Sequence, residues 1–523
     1  MYQDNKILIG KFQEENIYIY PQMANRHGLI AGATGTGKTV TLKVMAESFS
    51  DCGIPVFLAD AKGDLAGMCS AGIMNENIQN RINSLGLEHF GFQGYPAAYW
   101  DVYGEKGMPL RTTISEMGPL LLSRVMDLNP TQTDILTVVF KIADDQNLLL
   151  IDTKDLRSML QYVGEHAKEF SAEYGNLSKQ SLAAIIRSVV ALEAEGGDRF
   201  FGEPALDIRD WLCTDCSGKG KISILDCQKL MQNPTMYATF MLWMISELFE
   251  ILPETGDCAK PKIIFFFDEA HMLFDRAPKA LLSKVEQVIK LIRSKGVGIF
   301  FITQNPRDIP DSVLAQLGNK VQHALRAYTP AEQKAAKAAA LSFRENPQFD
   351  TYETLTQLGI GEALVSVLDE EGIPTVVKKC KMLPPQSQMS VLSEEERQKQ
   401  IRADLLYSKY CQSVDRDSAY EFLQRKAEAD LQAQEKAAEE KILQKQLEKE
   451  AAAAQKKKEQ EEAAQRKRAK TAVTRTATSV AGTIGRELGN EVGKTIGGSF
   501  GKRLGGNVGA SLGRGILSTL FKL

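Results

Sequence analysis

Leu29-Ile30-Ala31-Gly32-Ala33-Thr34-Gly35-Thr36-Gly37-Lys38-Thr39 passes from an apolar run through a glycine loop into a helix-forming segment. Leu29–Ala31 reads as a buried strand and Lys38 to about Ser50 as a helix. Between them, Gly32 to Thr39 matches GxxxxGK followed by Ser or Thr in full, in the strand-to-helix slot where that spacing has a physical purpose. Gly32, Gly35 and Gly37 let the backbone of the stretch Gly32 to Thr39, with Ala33, Thr34 and Thr36 between them, wrap an anion with its N–H groups, and the helix N-terminus adds partial positive charge. Lys38 is expected to reach the β and γ phosphates of ATP, and Thr39 to ligate Mg²⁺.

Working outward, Val56 to Ala59 forms the next strand, with Asp60 at its carboxyl end, so the chain opens as a strand–helix–strand unit of a parallel sheet. Further apolar strands are expected at Ile222–Leu225, Ile263–Phe267, Ile299–Thr303, Val321–Leu325, Leu364–Leu368 and Val376–Val377, alternating with helices. Near-continuous apolar strands between helices predict an α/β, doubly wound, mostly parallel sheet covered on both faces. The predicted organisation is N-terminal strands over 1–25, the start of the core over 26–110, a helical insert over 111–210 and the remainder of the core over 211–390.

The second half of the site is Ile263-Ile264-Phe265-Phe266-Phe267-Asp268-Glu269, a buried strand delivering two carboxylates to the sheet edge where ligands bind. Asp268 is expected to hold Mg²⁺, and Glu269 to orient or deprotonate the water that attacks the γ phosphate. Gln304 ends the strand Ile299–Thr303 and is read as a sensor of γ phosphate and water; the alternative is a loop cap. Arg293 and Arg326 are candidates for a guanidinium reaching a neighbouring subunit's nucleotide, or are ordinary surface charges.

At 523 residues the chain exceeds one compact core, and its 43% apolar and 25% charged residues are those of a globular protein. A net charge of −3 argues against a surface that binds nucleic acid all over, while leaving room for a basic pore. Eight cysteines and a polar start point to a reducing, cytoplasmic setting. Cys213 and Cys216 have zinc-knuckle spacing, but no second pair follows. No apolar run has membrane-spanning length.

From 391 to 470 the composition becomes Glu, Lys, Gln, Arg and Ala, a charged helix, coiled coil or disordered linker. From Gly485 to Gly513 a glycine recurs every fourth residue, each after an apolar residue, within a tail spanning 471–523. Glycine costs a helix about 1 kcal/mol per residue, so close helix approach in self-association is one reading, peripheral membrane docking a second and disorder a third.

The order of glycine cradle, Asp268-Glu269-Ala270-His271 strand and IRSKGVGIFFITQNPRDIPDSVLAQLGNKVQHALRAYTP resembles the HerA/FtsK superfamily of P-loop ATPases, and most closely its HerA-like bacterial members. The resemblance covers roughly residues 5–385. It implies a RecA-like core, a hexameric ring and duplex DNA as cargo, and it gives Lys38, Thr39, Asp268, Glu269 and Gln304 the roles above, with Arg293 or Arg326 acting in trans. Asp60-Ala61-Lys62-Gly63-Asp64 also resembles the family, with no chemistry assigned beyond lying near the nucleotide. Asp268–His271 spells the box of another helicase group, but 393–523 cannot form the second RecA domain which that group needs. No [NT]KxD signature for guanine is complete: Thr153-Lys154-Asp155-Leu156 lacks its last Asp, which favours ATP. Two functions follow as expectations: an ATP-driven ring motor acting on DNA, or an ATP-switched scaffold or membrane-associated assembly factor.

Overall fold

The structure, a computed structural model, describes residues 2–256, 258–274 and 279–468. Thirteen strands share one sheet: β1 (Tyr2–Gln3), β2 (Lys6–Phe12), β3 (Glu15–Ile19), β4 (Gly28–Ala31), β5 (Val56–Asp60), β6 (Ala97–Asp101), β7 (Met108–Pro109), β8 (Ile222–Asp226), β9 (Ile263–Phe267), β10 (Val297–Thr303), β11 (Asn319–His323), β12 (Glu362–Ser366) and β13 (Lys378–Met382). The order is β1-β2-β13-β12-β11-β4-β10-β9-β5-β8-β6-β7, with β3 beside β2. From β11 to β7 every pairing is parallel. From β11 outward through β12, β13 and β2 to β1 and β3 every pairing is antiparallel.

This is the doubly wound, mostly parallel sheet of the RecA-like type. The central strands β4, β5, β8, β9 and β10 are buried at every residue, because helices cover both faces. Phe49, Phe266 and Phe300 meet across the helix–sheet interface, with centroids 5.9 Å apart for Phe49–Phe300 and 5.2 Å for Phe266–Phe300.

Three expectations shift. The strand expected at Val376–Val377 forms at Lys378–Met382, where Cys380 and Met382 alone turn inward, an alternation that a search for apolar runs passes over. Ala97–Asp101 was not expected as a strand and pairs with β8. The charged C-terminal segment does not leave the core at 391: Arg397, Ile401 and Tyr410 are buried, and the first compact unit runs to Ala429. Its charges disguise this, because one apolar or paired residue per turn suffices to dock a helix.

The helical insert comprises Ile114–Val125, Pro130–Asp145, Thr153–Glu165, Ala167–Tyr174 and Lys179–Leu192. Reciprocal capping boxes start three of them, at Thr113/Glu116, Asn129/Gln132 and Asp152/Asp155. The last box explains the Thr153-Lys154-Asp155 run, a helix start rather than part of a base-reading loop. The helix Ala419–Arg468 continues into a second unit from Asp430, where Leu431, Leu443 and Leu447 stay exposed. The glycine-repeat tail lies outside the described residues. Among the described residues, no helix is long and apolar enough to cross a membrane.

Candidate active site

The carboxyl edge of the parallel strands carries the site, and strand order decides who meets whom. Strand β10 runs between β4, which leads into the cradle, and β9, which delivers Asp268 and Glu269. Gln304, next after β10, therefore stands between the two halves. The cradle is fastened to its neighbours on both sides: Gly32 N–H donates to Thr303 O at 3.2 Å, and Ala33 N–H donates to Ala324 O at 2.8 Å. Gly32, Gly35 and Gly37 have φ values of 151°, 76° and 113°. These are left-handed conformations that an L side chain rarely adopts, so the glycines are required by backbone shape.

Lys38 opens the helix Lys38–Asp51, and its ammonium folds back into the loop, donating to Gly32 O at 2.6 Å and Ala33 O at 3.0 Å. Burial lowers the Lys38 pKa, opposed by the nearby charges of Glu269 and Asp268. Thr36 Oγ1 donates to Ala33 O at 2.7 Å and braces the turn. Thr39 sits half-buried in the first turn of that helix.

Asp268 is one of four aspartates at the carboxyl ends of four neighbouring strands, with Asp60 on β5, Asp226 on β8 and Asp101 on β6. Three of these are occupied structurally. Asp60 accepts the N–H groups of Gly63 at 2.7 Å and Leu65 at 3.0 Å. Asp101 accepts those of Tyr103, Glu105 and Lys106 at 2.9, 2.8 and 2.9 Å. Asp226 pairs with Arg397 at 3.4 Å and Lys106 at 3.6 Å. Asp268 accepts the Glu269 N–H at 3.0 Å and has no ion-pair partner among the described residues. Burial and the adjacent Glu269 push its pKa up to about 7. A buried carboxyl left so poorly compensated is suited to a cation.

Glu269 has φ of 48°, rare for a non-glycine residue and concentrated at functional sites. Its Oε1 lies 2.8 Å from Lys62 Nζ, and its Oε2 lies 3.4 Å from His271 Nδ1, an ion pair only when that imidazole is protonated. Oε2 is buried and accepts no hydrogen bond. Burial works to raise the Glu269 pKa, but Lys62, His271 and Gln304 outweigh it and hold the carboxylate below its ordinary value. Lys62 is the residue sequence reasoning passed over; the signal was present in Asp60–Asp64, directly after a strand whose carboxyl end faces the ligand edge.

The two arginines lie apart from this cluster. Arg293 stands at the amino-terminal edge of the sheet, just before β10, close enough to His27 to affect its charge. Seven residues of β10 separate it from the cradle edge, about 20 Å at strand rise. Arg326 donates to Thr356 O at 3.0 Å and Leu358 O at 3.5 Å. Arg326 is thus turned to carbonyls of its own chain, and Arg293 stands a strand length from Asp268 and Glu269. Among the described residues no cluster of three or more His, Cys, Asp or Glu side chains is placed to hold a metal, and Cys213 Sγ donates to Asp210 O at 3.2 Å.

The residues fit a magnesium–nucleotide complex on three observations: a glycine cradle of positive φ, an under-compensated buried Asp268, and an unpartnered Glu269 Oε2.

The profile of the helicase HerA-like C-terminal family matches residues 5–504. The chain is 22% identical over 385 residues to the DNA double-strand break repair helicase HerA of Saccharolobus solfataricus, spanning 72% of this chain and 69% of that one. It is 31% identical over 119 residues to a probable helicase of Methanocaldococcus jannaschii, spanning 22% of this chain and 21% of that one. Among solved structures, the bacterial conjugative coupling protein TrwB superposes with a TM-score of 0.49 at 13% identity, over 75% of this chain and 92% of that one. Because the profile runs over nearly the whole length, the chain belongs to the helicase HerA-like C-terminal family and is a P-loop ATPase.

Proposed function

We propose that the chain hydrolyses ATP as one subunit of a homo-oligomeric ring, six-membered as its resemblance implies, that moves duplex DNA. The observation that carries the hydrolytic step is the meeting of Lys38, Asp268, Glu269 and Gln304 at one sheet edge, set by β10 lying between β4 and β9. DNA as the cargo is supported by the relatives, named as helicases, one of them for DNA double-strand break repair.

In this mechanism the amides of Gly35 to Lys38 and the helix N-terminus bind the phosphates. Lys38 exchanges its hold on the Gly32 and Ala33 carbonyls for the β and γ phosphate oxygens. Thr39 and Asp268 would hold magnesium, which would supply positive charge against the triphosphate. Glu269 accepts a hydrogen bond from the attacking water and orients it, with Oε2 the open acceptor. Gln304, beside Glu269 at the end of β10, senses the γ phosphate and the water. Arg293, a strand length from its own cradle, is assigned to the nucleotide of a neighbouring copy; Arg326, spent on two carbonyls of its own chain, is the weaker candidate.

The test is steady-state turnover with and without duplex and single-stranded DNA, on protein whose oligomeric state has been measured. Glu269→Gln should keep ATP binding and turn over at least about 100-fold slower, the scale of losing a positioned base. Unchanged turnover in Glu269→Gln removes the base assignment. An oligomeric preparation indifferent to DNA removes the motor and leaves an ATP-switched scaffold.

A further inference from the structure

The shortest side-chain contact of Glu269 is made at one of its two carboxylate oxygens, by a residue outside both nucleotide motifs; among the described residues the other oxygen has only His271 Nδ1, at 3.4 Å. Lys62 follows β5, whose carboxyl end neighbours that of β9. Its Nζ lies 2.8 Å from Glu269 Oε1, while Oε2 accepts no hydrogen bond. The loop that presents Lys62 is fixed without help from the Lys62 side chain. Asp60 accepts the N–H groups of Lys62 at 3.2 Å, Gly63 at 2.7 Å and Leu65 at 3.0 Å, and Gln228 Nε2, just after β8, donates to Lys62 O. An ammonium that does not hold its own loop, yet pairs with a buried carboxylate across two strands, has its consequence at the carboxylate.

Glu269 needs such a constraint. Its backbone is left-handed, at φ 48°, and a glutamate side chain turns about several single bonds. A base that orients water works only within a narrow range of geometry, and a partner fixing one oxygen turns a rotating carboxylate into a directed acceptor. We propose that Lys62 is the positioning residue for Glu269: it anchors Oε1, so that Oε2 is left to accept the hydrogen bond of the attacking water. This rests on the hydrolytic reading above and adds to it a residue from a fourth strand. It also ties the base to β5 and, through Gln228, to β8, so that a shift of either strand end reaches Glu269.

The experiment uses the full chain and four variants: Lys62→Met, Lys62→Arg, Glu269→Gln and the double variant Lys62→Met/Glu269→Gln. ATP turnover, ADP affinity and thermal unfolding are measured for each. Lys62→Met should lower kcat at least about tenfold with KM changed less than about threefold, the pattern of an interaction made for the chemical step. ADP affinity and unfolding temperature should stay at wild-type values, and Lys62→Arg should recover most of the rate. The double variant should be no slower than Glu269→Gln, because residues that act as a unit do not add.

A kcat unchanged in Lys62→Met overturns the proposal. So does a double variant in which the two losses multiply, or a loss of ADP affinity and unfolding temperature that parallels the loss of rate. Each of these leaves the hydrolytic assignment standing as long as Glu269→Gln is slow. A Glu269→Gln chain as fast as wild type, or a wild type that does not hydrolyse ATP, ends both.

Discussion

Asp60, Asp101, Asp226 and Asp268 end neighbouring strands and look alike in sequence, but their surroundings separate them. Asp60 and Asp101 saturate their oxygens on the N–H groups of their own turns, and Asp226 is paired with Arg397. Asp268 has little compensation, and this predicts a trade between function and stability. Asp268→Asn should raise the Mg²⁺ concentration needed for half-maximal turnover by at least about tenfold, as loss of a charged ligand requires. Metal-free protein should nonetheless unfold at pH 8 no more easily than wild type, because a carboxyl pushed up to about 7 carries an unfavourable charge there. Loss of stability in Asp268→Asn would show the carboxylate to be structural. The cradle glycines separate in the same way. A Cβ at Gly32 would lie 2.5 Å from His323 Cβ as well as at φ 151°, whereas at Gly35 it meets nothing within 4 Å and carries only the strain of φ 76°. Gly35→Ala should therefore cost about 1 kcal/mol, and Gly32→Ala about 1–3 kcal/mol more, read by urea unfolding.

At the scale of elements, β4 and β10 are joined at their amino ends by a histidine with a defined tautomer. Ile299 N–H donates to His27 Nδ1 at 3.0 Å, so Nδ1 is unprotonated and Nε2–H donates to Ile289 O at 2.9 Å. Burial, with Arg293 nearby, lowers the His27 pKa to about 4, opposed by the bond to Ile289. The unfolded chain then binds more protons than the folded one between the ordinary histidine value and about 4. Stability is full above that window and falls as pH drops through it, by about 3 kcal/mol for this one group. Buried His323, likewise lowered to about 4, adds loss of the same sign. Urea midpoints measured from pH 7.5 to 4 should fall, and His27→Gln should flatten the fall while lowering stability at pH 7.5. An unchanged slope in His27→Gln would place the acid sensitivity elsewhere.

Across the whole molecule, the core is closed by a segment whose composition reads as solvated. Arg397 reaches Asp226, Tyr410 stacks edge-on against Trp100 with centroids 5.1 Å apart, and Ser418 N–H and Oγ donate to Glu421 as the long helix begins. Every site residue lies before Ala429, the end of the first compact unit. A chain ending at Ala429, or one lacking only 471–523, should keep hydrolysis per site within about twofold, while any self-association that the tail provides is lost. A chain ending at 390 should lose several kcal/mol, because it uncovers Trp100 and leaves Asp226 without its buried arginine. Equal unfolding temperatures for the two truncations at Ala429 and 390 would contradict that packing.

Chemistry that depends on adjacent residues was readable from the chain alone. Gly32–Thr39 needs one strand, one loop and one helix start, all local, and Ile263–Glu269 announces itself as a buried strand delivering two acids. Parallel strands with helices on both faces follow from apolar runs at helical separation, which is why the sheet was legible while β6, an Ala-Ala-Tyr-Trp run without Val, Ile or Leu, and β13, facing inward on alternate residues, were not. The insertion of β10 between β4 and β9, the isolation of Asp268 among four aspartates and the anchoring of Glu269 by Lys62 all required the assembled sheet. These are relations between residues up to more than two hundred positions apart, and only strand order and register set which side chains share an edge.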